Sequence, residues 1–376
     1  MKLFHLSDLH LGKRLNEFPM IADQRYILTE ILNFISAEKP DGILIAGDVY
    51  DRSVPSEDAM KLWDEFLISI ARKKVPVFAI SGNHDSAIRF SDHGELVDVT
   101  GIHLSPVYDG TVRCCRLEDK GLAVNIHMLP FIKPAVVKSI FPDEEINDYN
   151  DACRVAIDHM DINEDEVNIL VAHQFVTGAA RCESEETFAG GLDNVDASVF
   201  DRFDYVALGH IHGKQKIGRD TVRYCGTPLK YSFSEKDHKK SVTVVNIEAK
   251  DSIKTDELPL TPMHDLREIR GTYAELTSKP NYENTATDDY IHAVLTDEND
   301  IVDAVGRLRV IYPNLMKLSY DNARTREQRD VTDIEDVENK TPLELFGEFY
   351  EKQNNKAMSD EQRKFVAECI DSIWEE

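Results

Sequence analysis

Five short clusters of Asp, His and Asn each close an apolar run, and this arrangement limits the possible folds more than any other feature of the chain. The runs 3–7, 42–46, 77–81, 168–172 and 205–208 lead in turn into Asp8-Leu9-His10, Gly47-Asp48, Gly82-Asn83-His84-Asp85, His173 and Gly209-His210-Ile211-His212. Short apolar runs without polar alternation read as strands buried on both faces. Residues 123–129 and 241–247 are further strand-like runs. Residues 27–37 and 59–72 carry apolar side chains at helical spacing, and Ser56, just after Pro55, is an expected N-cap for the second. Strands alternating with helices give an α/β fold with its sheets covered by helices. In such folds, polar residues at the carboxyl ends of neighbouring strands converge on one crevice.

The residue types in those clusters point to metal chemistry. Asp and His donors without a thiolate suit borderline-to-hard divalent ions such as Mn, Fe or Zn. The set is large enough for two ions that share one carboxylate. Two ions about 3.5–4 Å apart can clamp a phosphoryl oxygen and activate water. Taken singly the clusters say little. Asp8-x-His10 arises by chance, Gly47-Asp48 is an ordinary strand-to-turn sequence, and a lone His173 is more often a satisfied core histidine. Gly-Asn-His-Asp could be a turn, whereas Gly-His-x-His sets two histidines on one side of an extended segment. It is the ordered set, each member ending a strand, that carries the signal. The glycines before Asp48, Asn83 and His210 allow tight turns beside an ion.

The 376 residues suit two or three domains. A phosphoesterase-like unit is expected over 1–260, a small α/β unit over 261–320, a charged linker over 321–340 and a helical element over 341–376. In the small unit, 266–269, 290–295 and 315–320 are strand-like and 301–311 helix-like. The last element opens with the capping box Thr341-Pro342-Leu343-Glu344, followed by Leu345, Phe346, Phe349 and Tyr350 on one face. Ser359-Asp360-Glu361-Gln362 is a second box before the stripe Phe365, Val366, Cys369, Ile370, Ile373 and Trp374. Such stripes need a cover, either the rest of the chain or a partner. The six cysteines form no Cys-x-x-Cys motif and read as reduced thiols. No apolar run reaches the roughly 18 residues of a membrane span. The first residues read as a strand and not as a signal peptide, which predicts a cytoplasmic protein. A net charge of −26 is the wrong sign for a stand-alone DNA binder. It leaves room for a local basic groove, with Lys13, Arg14, Arg52 and Arg89 as candidates, or for metal ions or a partner that meet the phosphates.

The ordered set resembles the calcineurin-like metallophosphoesterases, and within them the bacterial SbcD family of nuclease subunits. The narrowing features are His5-Leu6-Ser7-Asp8-Leu9-His10-Leu11-Gly12, Gly47-Asp48-Val49-Tyr50-Asp51, Ser81-Gly82-Asn83-His84-Asp85 and Leu208-Gly209-His210-Ile211-His212. Gly226-Thr227-Pro228, with Tyr231-Ser232-Phe233-Ser234-Glu235, extends the likeness. The resemblance implies a four-layer α/β/β/α sandwich with a capping domain and a helical tail. It implies two divalent ions, with Mn the expected metal, one held by Asp8, His10, Asp48 and His212, the other by Asp48, Asn83, His173 and His210. His84 would contact the scissile phosphate as a catalytic residue, oriented by Asp85. The implied activity is 3′-to-5′ exonuclease on duplex DNA and endonuclease on single strands or hairpins, in repair, recombination and replication. The implied partners are DNA, a second copy of the chain, and an SbcC-type ATPase bound through the C-terminal helices. The family's archaeal and eukaryotic members carry His at the position of Asp51, whose role stays open at this point. Two rivals share the signal: a phosphatase or cyclic-nucleotide phosphodiesterase with the same centre, and a non-catalytic scaffold subunit.

Overall fold

The computed structural model describes residues 1–92, 94–119, 121–185, 194–323, 325, 341–354 and 357–374. Two six-stranded mixed sheets form its centre. The first has the order β12-β11-β1-β2-β3-β4, built from β1 (Lys2–Leu6), β2 (Gly42–Ala46), β3 (Val77–Ile80), β4 (Ile102–Leu104), β11 (Ser241–Ala249) and β12 (Ser252–Pro259). The second has the order β9-β10-β8-β7-β6-β5, built from β5 (Arg113–Asp119), β6 (Leu122–Met128), β7 (Val167–His173), β8 (Tyr205–Gly209), β9 (Gln215–Ile217) and β10 (Arg219–Tyr224). The strands that lead into the polar clusters are parallel: β1 with β2, β2 with β3, and β7 with β8. Antiparallel strands lie at the margins, where β11 pairs with β1 and β12, and β5 with β6.

Alternation along each strand explains why the runs are apolar throughout. In β2, Leu44 and Ala46 enter the cluster between the sheets, with Phe78, Ile80, Ile126, Ile169, Val171 and Ala207. Their neighbours Ile43 and Ile45 face the other way, onto α1 (Ile21–Glu38) and α2 (Glu57–Arg72) through Ile31, Leu62, Trp63 and Phe66. The second sheet turns Leu170, Ala172, Val206 and Leu208 onto α3 (Tyr149–Asp158), against Cys153, Ala156 and Ile157. Helix, sheet, sheet and helix give the four-layer α/β/β/α sandwich. Burying each large apolar side chain in these layers contributes about 1.5–3 kcal/mol. Ser56 caps α2 by accepting from Ala59 N at 3.3 Å. The strands at 102–104, 113–119, 219–224 and 252–259 do not stand out in the sequence. β5 and β12 alternate partly buried with exposed residues, the pattern of margin strands.

A three-stranded parallel sheet follows, with β14 (Tyr290–Leu295) between β13 (Leu266–Gly271) and β15 (Leu315–Tyr320). Its helix α4 is shorter than the sequence pattern suggests, Ala304–Arg309. The sheet is tied to the core through Asp23 of α1, which accepts from the Tyr290 hydroxyl at 2.6 Å and faces His264 Nδ1 at 2.9 Å. Lys236 to Glu268 and Lys230 to Asp265, both 2.8 Å, add two ion pairs. Residues 1–185 and 194–322 form one compact unit, and the described residues of 341–374 belong to a second.

In the second unit, α5 (Pro342–Asn354) and α6 (Asp360–Trp374) form a helical pair. Both capping boxes form. Thr341 N donates to Glu344 Oε2 at 2.8 Å while Thr341 Oγ1 accepts from Glu344 N at 3.3 Å. Ser359 and Gln362 exchange the same pair of bonds at 2.9 and 3.3 Å. Gln362 Nε2 donates across to the Tyr350 hydroxyl at 3.0 Å. Phe346, Phe349 and Phe365 remain exposed. The expected linker, apart from residues 321–323 and 325, lies outside the described residues, as do the side chains of Ile373 and Trp374. Among the described residues no helix is long and apolar enough to cross a membrane.

Candidate metal centre

The parallel strands bring all five clusters to one crevice. Asp8, His10 and His212 approach one another through donor atoms within 4.8 Å, as do Asp8, Asp48 and His173. Asn83 bridges to the rest: its Oδ1 lies 2.9 Å from His173 Nε2 and 3.0 Å from His210 Nδ1. Asp48 Oδ2 sits centrally, 3.3 Å from His173 Nε2, 3.7 Å from His10 Nε2 and 3.9 Å from His84 Nε2. All seven ligand positions named from the sequence thus line one site.

The backbone is bent to achieve this. Asp8, His10, Asp48 and His210 all have positive φ, at 52°, 44°, 50° and 104°. Non-glycine residues held there cost on the order of 1–3 kcal/mol each and cluster where function demands them. Gly82 has to be glycine, because a Cβ there would overlap the Asp48 carboxylate; one on Gly209 would overlap the Ala46 carbonyl. Amides then aim the carboxylates: His210 N donates to Asp8 Oδ1 at 3.0 Å, and His84 N to Asp48 Oδ1 at 2.9 Å.

The donor chemistry fits divalent ions. His173 Nδ1 faces the Ala46 carbonyl at 2.8 Å, which accepts its proton. With its proton on Nδ1, His173 can present the Nε2 lone pair to a cation in the crevice; without one, Nε2 takes a proton and faces Asn83 Oδ1 and Asp48 Oδ2. His10 Nε2 and His212 Nε2 face each other at 3.2 Å. Electrostatics agree. Burial pushes the Asp8 carboxyl up to about 8, with His173 opposing the push and the Asp48 charge adding to it. Burial opposes a charge on His173, but the Asp48 carboxylate carries the ring up to about 9. Asp48 itself is held well below the usual carboxylate range, because His173, His10 and His84 outweigh its burial. Burial drives His210 down to about 3 and lowers His10 and His212 as well. A divalent cation can offset the two buried carboxylates, Asp8 and Asp48, and binds as protons leave.

His84 stands at the rim, partly exposed. Its Nδ1 faces the Asp51 carbonyl at 3.0 Å. The expectation that Asp85 orients this ring is corrected. Asp85 instead accepts from Tyr50 N at 2.9 Å, Gly82 N at 2.9 Å and Val49 N at 3.1 Å, so it clamps two loops together. Burial leaves its carboxyl raised to about 6. The side chain of Asp51 pairs with Lys13 Nζ at 2.8 Å and lies 3.7 Å from His10 Nδ1, a buried atom with no hydrogen-bond partner among the described residues. Of the basic candidates, Lys13 is thus neutralised, while Arg14, Arg52 and Arg89 are exposed.

Comparison with known proteins fits this centre. The calcineurin-like phosphoesterase family matches residues 1–214, and the type 5 capsule protein repressor C-terminal domain matches 262–354. The SbcD subunit of the SbcCD nuclease from Staphylococcus epidermidis is 31% identical over 377 aligned positions, covering 99% of each chain. The chain belongs to the SbcD branch of the calcineurin-like phosphoesterases. Solved structures with more distant likeness include a Thermus thermophilus protein, 12% identical over 68% of this chain and 98% of that one, TM-score 0.37. A dimetal phosphatase from Danio rerio is 11% identical over the same shares, also with a TM-score of 0.37.

This SbcD-branch chain also surrounds its centre with residues that spacing does not single out. Gln24 of α1 donates to the His10 carbonyl at 2.7 Å and accepts from Gly12 N at 2.9 Å, which fixes the first cluster. Tyr231 donates to the Leu9 carbonyl at 2.6 Å and sets its ring edge-on to His10. Glu185 accepts from His212 N at 2.6 Å. Of these three, only Tyr231 lies in a motif that the sequence marks. Gln24 looks like any polar residue of a surface helix, and no signal in the sequence points to Glu185.

Proposed function

We propose that the chain is the nuclease subunit of a DNA-processing complex, hydrolysing phosphodiester bonds with two divalent ions, Mn by preference. The observation that carries this reading is the convergence of seven donor residues on one crevice, in a chain similar along nearly its whole length to a nuclease subunit. Asp8, His10, Asp48 and His212 would hold one ion, and Asp48, Asn83, His173 and His210 the other, with the central Asp48 shared. Bound divalent ions supply Lewis-acid polarisation of a phosphoryl oxygen and a lowered pKa for water. The chain's own residues do the rest. The amides of His84 and His210 hold the Asp48 and Asp8 carboxylates in place, so little reorganisation is needed on turnover. His84, at the rim with Nε2 turned inward, contacts the scissile phosphate and stabilises or protonates the leaving oxygen. Asp85 serves as a positioning residue through its three amides.

Family membership supports the finer assignment: 3′-to-5′ exonuclease action on duplex ends and endonuclease action on single strands or hairpins. It also supports a homodimer working with an SbcC-type ATPase in the cytoplasm, in DNA repair, recombination and replication. We assign 1–260 to the nuclease domain, 261–320 to the capping domain, 321–340 to a linker and 341–376 to ATPase docking. The deciding experiment supplies Mn and compares end-labelled duplex DNA, hairpin DNA and p-nitrophenyl phosphate, with and without the ATPase. DNA cleavage abolished by chelation is expected. Hydrolysis of p-nitrophenyl phosphate alone would make the chain a phosphatase, and inactivity without bound metal would make it a scaffold.

A further inference from the structure

The segment Tyr231-Ser232-Phe233-Ser234-Glu235 ends on a carboxylate that is fully buried. A buried charge needs a partner and a reason. The partner of Glu235 is Lys240, itself almost wholly buried and joined to Glu235 Oε2. Glu235 Oε1 accepts from Ser184 Oγ at 2.7 Å and from Tyr231 N at 3.1 Å. Ser184 Oγ also lies 2.7 Å from His212 Nδ1. A hydroxyl has one proton, and here it serves Glu235, so His212 Nδ1 donates to the hydroxyl oxygen. His212 Nε2 then carries the lone pair, on the side where His10 and Asp8 lie. Lys240 Nζ reaches the same residue from behind, donating to the His212 carbonyl at 2.9 Å and to Thr227 Oγ1 at 2.6 Å.

We propose that Glu235, acting through Ser184, is a positioning residue that fixes His212 as an Nε2 donor, and that Lys240 supplies the counter-charge that lets Glu235 be buried there. The chain of groups runs Lys240, Glu235, Ser184, His212. A carboxylate behind a metal-binding histidine fixes its tautomer and strengthens it as a donor. The alternative is that Glu235 merely neutralises Lys240. Buried ion pairs kept only for structure can be exchanged for apolar pairs at little cost, and that difference makes the two roles separable.

The proposal rests on His212 being a metal ligand, as read above, so the test starts there. Mn is titrated into the full-length chain by calorimetry, and thermal midpoints are measured without metal. His212→Ala should weaken one of two Mn sites; unchanged binding would sink the ligand reading itself. Ser184→Ala leaves the ion pair intact and is expected to weaken the same site by about 10–100-fold, with a smaller fall in midpoint than Glu235→Gln. Glu235→Gln should weaken that site and also lower the midpoint, because Lys240 loses its counter-charge. Glu235→Gln combined with Lys240→Met should recover the midpoint but not the Mn affinity. Recovery of both in the double variant would make Glu235 only a counter-ion and overturn the proposal. So would wild-type Mn affinity in Ser184→Ala alongside weakened binding in His212→Ala. Should Glu235→Gln fail to fold, Ser184→Ala still decides.

Discussion

At the scale of single residues, Asp48 and His84 differ in how the fold holds them. Asp48 is the central carboxylate, facing three histidines through one oxygen and fixed by the His84 amide through the other. Asp48→Asn keeps the shape and removes the charge that both proposed ions share. Elemental analysis should find both Mn ions lost and DNA cleavage abolished, with the far-UV circular dichroism unchanged. A variant that keeps two ions would remove Asp48 from its bridging role. His84 is the contrasting case. It comes close enough to His10 and Asp48 to ligate, but its ring is partly exposed and its Nδ1 is engaged by a backbone carbonyl. His84→Ala is expected to retain both ions and DNA affinity while turnover falls about 10²–10⁴-fold. Loss of an ion from this variant would place His84 among the ligands.

At the scale of elements the strands deliver the clustered Asp, His and Asn side chains, and the loops after them hold the geometry. The loop after β2 and the loop after β3 are joined by Asp85, whose two oxygens satisfy three amides. Asp85→Ala leaves those amides without their acceptor in a buried place, at about 1–3 kcal/mol for each one left unsatisfied. Urea unfolding should show a loss of several kcal/mol by the same scale, and Mn binding should weaken because Asp48 and Asn83 sit in the two loops. Normal stability in Asp85→Ala would mean that the clamp is dispensable. The two C-terminal helices show how far local sequence can reach. Both capping boxes form between residues three apart, so no distant contact was needed to foresee where α5 and α6 begin.

For the whole molecule, the phosphoesterase sandwich and the three-stranded sheet make one compact unit, while the tail belongs to another. Residues 331–376 hold 13 acidic against 5 basic residues. Exposed Phe346, Phe349 and Phe365 add an apolar component. A basic partner surface with an apolar groove would complement this, and opposite charge speeds such an association. A chain ending at Lys340 is expected to keep its thermal midpoint, its two Mn ions and its single-strand cleavage, yet fail to co-purify with the ATPase. Aggregation of the shortened chain, or normal ATPase binding, would contradict the docking role.

Much of this was open to reading in the sequence because its signals are local. Apolar runs mark strands buried on both faces, the cluster after each run marks its carboxyl end, and a capping box needs only four residues. Those features carried the α/β class, the strands β1, β2, β3, β7 and β8, and all seven residues that line the crevice. The margin strands were missed because their partly exposed faces dilute the apolar pattern, as in Arg113–Asp119 and Ser252–Pro259. Only the tertiary structure decided what the polar residues around the site do. Asp85 lies next to His84 in the chain but bonds to loop amides, while Asp51 supplies the carbonyl that faces the His84 ring. Gln24, Ser184, Glu235 and Lys240 reach the centre from stretches far from the ligand clusters. Their roles depend on which donors and acceptors folding brings within about 3 Å of one another, and that distance is set by packing between elements far apart in the chain.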